Sequence, residues 1–290
     1  MDIKALVPLL AQGALFLVMA SFGLKTRAGE VLAALRDTSL ILRGVLAVNV
    51  VVPAVAVVAC LLLPIDHSVR IGIVIMAISP LAPVLPAKMS RGEFDTSRAV
   101  GLYVALILVA VVLVPLTVAL LSAIFPANAS LEVTALAKLV GLTVLLPILV
   151  GLAIGTWAPG LARPVGRVTA ILGFGGIVVL VLLVLYAQGR AIIGLIGDGS
   201  VLAIVLAVTA GIVAGHLLGR PDPGRSNALA MAAAVRHPGI AALVVRENFT
   251  DRRVMLAVAL FLFTSVFVTL IYEFWLRRQD AKATPAAAPA

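Results

Sequence analysis

Arg236, His237 and Pro238 lie together in the middle of a long apolar stretch, and chemistry is expected there first. A guanidinium carries a permanent charge and five N–H donors in a planar fork that matches a carboxylate. Setting it in hydrocarbon costs on the order of 3 kcal/mol or more, so it must face a polar cavity or a partner. Two readings are open: a bidentate clamp for an anion, or a donor to backbone carbonyls exposed by a break in another helix. His237 is either a proton-titrating group or a neutral cap on loose backbone.

A second interruption lies upstream. Residues 77–88 carry Pro80, Pro83 and Pro86, which remove three backbone donors and prevent a continuous helix. Ser79 and Pro83 fall within this break. Lys88 follows it and either snorkels to the interface or reaches the same site. Asn49, four residues before Pro53, is the one carboxamide deep in its own apolar run; it either ties a carbonyl freed by Pro53 or points at the site. The candidate binding residues are thus Arg236, His237, Pro238, Asn49, Ser79, Pro83 and Lys88. Backbone interrupted at membrane depth survives only where it lines a cavity or is buried in protein, and two matched breaks point to a substrate site.

The elements that must hold these residues are membrane helices. The chain has 290 residues, 62% hydrophobic and 12% charged, with a mean hydropathy of +1.19. A soluble domain of that length has too little interior for so much apolar surface. At about 20 residues per span, nine spans are expected: 3–24, 40–63, 67–89, 97–124, 131–157, 165–187, 199–219, 224–247 and 253–276. Turn chemistry at Pro64-Ile65-Asp66, Pro159-Gly160, Gly197-Asp198-Gly199 and Pro221-Asp222-Pro223-Gly224 joins them. Residues 25–38 suit a short surface helix. The fold class is an all-α polytopic membrane protein forming one transmembrane unit over 1–276, with a disordered Ala/Pro tail over 277–290.

The net charge of +9 does not indicate nucleic acid, because the basic residues stand singly between apolar runs. With the N-terminus outside, 14 of the 22 Lys and Arg residues fall on the inner side and 7 on the outer, leaving Arg236 within a span. The positive-inside rule therefore gives N-out and C-in, in an inner or plasma membrane. Pro83, Arg91, Phe94 and Arg98 recur as Pro238, Arg246, Phe249 and Arg253 at one offset of 155 residues. The odd number of spans between the copies puts them on opposite sides, the sign of an inverted repeat. Gly211, Gly215 and Gly219 mark close helix packing. Lone Cys60 reads as a small buried hydrophobe. No phosphate-binding loop, nucleophile elbow or zinc motif is present, so neither ATP-driven transport nor hydrolysis is supported, and no cofactor is expected.

The Val-Pro pair of the second span, the broken stretch leading to Arg91-Gly92, Leu146-Pro147-Ile148-Leu149-Val150-Gly151-Leu152 and Gly239-Ile240-Ala241 resemble the bile acid:sodium symporter family over nearly the whole chain. The resemblance implies a panel domain (spans within about 3–63 in part and 131–187) against a core domain (about 40–124 and 199–276) with two broken helices crossing. A small organic anion would sit beside the crossing and move by alternating access. Of the sodium ligands the resemblance implies, only Ser97 is retained as a weak ion-binding candidate. Residues 232–237 offer no carboxylate, and Arg236 stands where a Gln would fall. Sodium coupling in the family's manner is therefore not expected, although a sodium-coupled symporter and a non-transporting receptor on the same fold are the alternatives.

Overall fold

The computed structural model describes residues 3–82, Pro86, Lys88, 96–121, Thr134, Ala137, Lys138 and 141–283. Every regular element among these residues is helical: α1 (Ile3–Leu24), α2 (Ala28–Arg36), α3 (Thr38–Leu62), α4 (His67–Ile78), α5 (Thr96–Leu121), α6 (Gly141–Trp157), α7 (Pro159–Ile193), α8 (Ser200–Gly219), α9 (Pro223–Ala234), α10 (Pro238–Asn248) and α11 (Arg252–Ala283). Five of them are long and apolar enough to cross a membrane: α3, α5, α7, α8 and α11. Among the others, α4 and α9 are cut short at the two proline-bearing breaks. The chain is a multi-pass membrane protein.

Both broken stretches start alike. An Asp caps each: Asp66 accepts from the Ser68 N–H, and Asp222 from the N–H groups of Gly224 and Arg225. Each then runs for 12 residues, α4 to Ile78 and α9 to Ala234, and stops as the backbone turns extended at Ser79 and Val235. Pro80 pushes Ser79 out of the helical region, and Pro238, four residues past Ala234, has no N–H to return to that carbonyl. Proline at the first position of α10 is pre-set for helix, so the chain resumes there.

Glycine sets how closely the helices approach. A Cβ on Gly215 would lie 2.5 Å from the Leu229 backbone, and one on Gly219 would lie 2.3 Å from Ser226, so α8 and α9 touch backbone to backbone. Gly211 meets Val52 of α3 and Ala233 of α9 in the same row. In a second group, Gly23 of α1 and Gly151 of α6 are reciprocal: a Cβ on either would strike a carbonyl of the other helix, at 2.2 and 2.3 Å. Gly173 brings α7 against Val18 and Ala14 of α1. Thus α1, α6 and α7 pack as one layer, while α9, buried along almost its entire length, lies among α3, α8 and α11. Gly197 and Gly199 have φ of 135° and 89°, which explains the glycines of that turn.

Two expectations need correction. Pro159-Gly160 is not a connecting turn; Pro159 opens α7, and only Ala158 separates it from α6, so α7 is a 35-residue helix rather than 165–187. The expected tail at 277–290 is helical as far as Ala283, because α11 continues past the span; residues 284–290 are outside the described set. The short helix expected at 25–38 is present as α2, set against α5 where Gly101 faces Val31 and Ala34.

Candidate functional site

The two breaks meet. Leu81 and Arg236 pair as an isolated antiparallel bridge, with the His237 N–H donating to the Pro80 carbonyl at 2.8 Å and the Ala82 N–H to the Val235 carbonyl at 3.4 Å. Each extended segment thereby uses backbone groups that its own helix can no longer satisfy. The bridged residues are 155 positions apart in the chain, the same offset at which the sequence motifs recur.

Arg236 is fully buried at this crossing. Its Nη2 donates to the Val48 carbonyl of α3 at 2.6 Å and its Nη1 to the Ser79 carbonyl at 3.4 Å, while Nε has no partner. Val48 offers its oxygen for a local reason. Residues Leu46–Val51 form a π-helical turn just before Pro53, and Pro53 has no N–H to return to that turn. A carbonyl there is one donor short, and Arg236 supplies it. Of the two readings of Arg236, the donor to backbone carbonyls is therefore realised, and it leaves part of the fork, Nε included, unspent. Among the described residues, no carboxylate lies within ion-pair distance of it.

His237 caps α10. Its Nδ1 accepts from the Ile240 N–H at 3.3 Å, which places the ring proton of the neutral form on Nε2, and Nε2 is buried without a partner. Asn49 Oδ1 and the Tyr103 hydroxyl are likewise buried and unpartnered. Buried polar atoms normally find partners, so unmatched donors on consecutive residues 236 and 237 at one crossing require an explanation.

The other candidates separate. Ser79 contributes its carbonyl to Arg236, but its hydroxyl is turned back onto the Ile75 carbonyl at 2.8 Å. Lys88 pairs with Glu273 of α11, and its carbonyl accepts from Asn227 of α9 at 2.9 Å. Ser97 Oγ accepts from the Arg27 N–H at 2.7 Å, holding the entry to α2 against α5. Pro83 lies outside the described residues. Sequence reasoning missed the Val48 carbonyl, for which Pro53 in mid-span was the available signal.

A coupling sodium ion requires several oxygens, preferably with a carboxylate. The crossing supplies the opposite. Among the described residues, the Val48 and Ser79 carbonyls are taken by a guanidinium, and the unmatched atoms of Arg236 and His237 are donors. Among the described residues no carboxylate stands at the crossing to serve such an ion, and Asn49 Oδ1 is the unmatched side-chain acceptor nearest Val48 in the chain.

Among curated proteins, none matches the chain. The profile of the Sodium Bile acid symporter family matches residues 13–195 and ends before the second break. That match covers well over half of the 290 residues, and with it the chain belongs to the sodium bile acid symporter family and is a membrane transporter rather than an enzyme.

Proposed function

We propose that the protein is a secondary carrier that moves a small organic anion, a carboxylate or sulfonate, across an inner or plasma membrane by alternating access. The observation that carries this reading is the fully buried Arg236 at the crossing of two broken stretches, with Nε and the neighbouring His237 Nε2 left as unmatched donors. A fixed positive charge beside two donors suits an anion in a site closed to water, where charge-assisted hydrogen bonds are strongest.

The same reading includes nine spans in an inverted repeat, with the N-terminus outside and the C-terminus in the cytoplasm. It is supported by the matching 12-residue lengths and Asp caps of α4 and α9 and by the 155-residue offset of the bridged pair. The layer of α1, α6 and α7 would be the panel, and the glycine-packed remainder the core that moves against it. On this reading Asn49, Ser79 and Pro238 shape the site, and Ser97 belongs to the core scaffold.

The family's name favours sodium-coupled symport as a second reading. Binding of labelled taurocholate and 2-naphthalenesulfonate to purified protein, with and without sodium, separates the two for wild type and Arg236→Ala. Loss of binding in a variant that still folds is expected; unchanged affinity would remove Arg236 from the site.

A further inference from the structure

We infer that Arg236 serves as a built-in cation that replaces a mobile coupling ion, so that the carrier moves one net negative charge per cycle and the inside-negative membrane potential drives its anion outward. The inference rests on the anion-carrier reading above and adds its energetics and direction.

The crossing already holds a fixed cation. The Val48 and Ser79 carbonyls come from α3 and from the residue that ends α4, and both accept hydrogen bonds from one guanidinium. Oxygens of interrupted helices are the groups that elsewhere hold a small transported cation. Here they hold a cation that is covalently part of the chain. With a permanent positive charge in place, a monovalent anion entering the site is neutralised without any ion from solution.

Charge bookkeeping over a full cycle then fixes the direction. Arg236 crosses with the loaded site and returns with the empty one, so its own charge cancels. What remains is the charge of the anion. No proton carrier enters this balance among the described residues, because His237 Nδ1 is engaged as an acceptor from Ile240 and no carboxylate lies by Arg236, and the fixed guanidinium stands in for a metal ion. One negative charge in a potential of about 100 mV, inside negative, is displaced outward by a factor of about 50 at equilibrium, equivalent to ~2.3 kcal/mol. A carrier using two or more sodium ions per anion would instead accumulate its substrate inside.

The test uses the full chain in proteoliposomes, with sodium replaced by N-methylglucamine. Labelled taurocholate and 2-naphthalenesulfonate are the probes, since sulfonates stay monovalent at all working pH values. A potassium gradient with valinomycin sets the potential. The expected result is probe loss from inside-negative vesicles toward a roughly 50-fold excess outside, and accumulation when the gradient is reversed. Arg236→Gln should abolish both, and Arg236→Lys, which keeps the charge but not the fork, should restore part of the flux. Thermal unfolding of each variant in detergent separates loss of function from loss of fold. Flux that requires sodium overturns this inference and leaves the carrier reading standing. Sodium-free flux that ignores the potential also overturns it, because a compensating ion must then be moving. If neither probe moves in either salt, the carrier reading falls and takes this inference with it.

Discussion

The Nη2 of Arg236 lies 2.6 Å from the carbonyl oxygen of Val48, 188 residues earlier in the chain. The contact joins two consequences of proline. Pro53 leaves a carbonyl in α3 without its helical donor, and Pro238 ends the helical course that would have kept Arg236 inside a continuous helix. The charged side chain thus repairs one interruption while standing in another.

Replacing Pro53 by Ala should return an N–H to the π-helical turn and set it in competition with Arg236. Anion affinity is expected to fall roughly tenfold, the ~1.4 kcal/mol scale of one charge-assisted hydrogen bond, while the unfolding midpoint moves little. Titration with labelled taurocholate beside a thermal melt checks this; an unchanged affinity would show that Val48 does not position the guanidinium.

The α8–α9 contact is expected to reject any side chain. Gly215→Ala and Gly219→Ala each place a Cβ within 2.5 Å of backbone atoms, so each should destabilise by about 1–3 kcal/mol through overpacking. Gly13→Ala and Gly175→Ala, which meet nothing within 4 Å, are the controls and should melt at or slightly above wild type, because alanine is the better helix former. Equal midpoints across all four variants would contradict the close approach.

Lys88 and Glu273 are both partly buried, at 34% and 23% exposure, which places the pair between the surface and interior extremes. A double-mutant cycle with Lys88→Met and Glu273→Gln should give a coupling of about 1 kcal/mol, each single variant costing more than its share of the double. Additive losses would mean that the two charges act independently.

At the start of α11, about 32 Å along the helix axis from Glu273, Ser68 donates to the Asp251 carboxylate at 2.5 Å. That hydroxyl, followed by the Arg253 backbone N–H, holds the Asp251 carboxyl below the usual carboxylate range. A depressed value contributes stability above the ordinary pKa near 4, and the contribution disappears as the pH falls through the folded value. Ser68→Ala should therefore lower the unfolding midpoint slightly at pH 6, with the gap to wild type closing below about pH 4. A gap independent of pH would assign the loss to something other than this carboxylate.

Prolines made the breaks legible. Pro80 and Pro238 mark the two places where helix stops, and an arginine between apolar residues marks where the interior turns polar. What Arg236 touches was left open, because the acceptor was not a side chain. A π-helical turn has no residue signature beyond the proline after it, and Val48 is an ordinary valine whose backbone matters. The pairing of Lys88 with Glu273 was hidden by distance, since 185 residues separate them and Glu273 stands close to the end of its span. Pro159 was misread for a simpler reason: proline serves equally in a turn and at the first position of a helix, and a single residue, Ala158, suffices to redirect the chain.

Helix α7 has a physical consequence for the surroundings of the protein. Its 35 residues extend about 52 Å, more than the ~40–45 Å from headgroup to headgroup, and only 6% of its most apolar window is covered by the rest of the molecule. Its apolar stretch 168–189, between Arg167 and Arg190, spans about 33 Å, close to the ~30 Å hydrocarbon core, so the two ends of the helix project into the headgroups and water. Because α1 is locked to it through Gly173, whatever tilt the lipid imposes on the one is shared by the other.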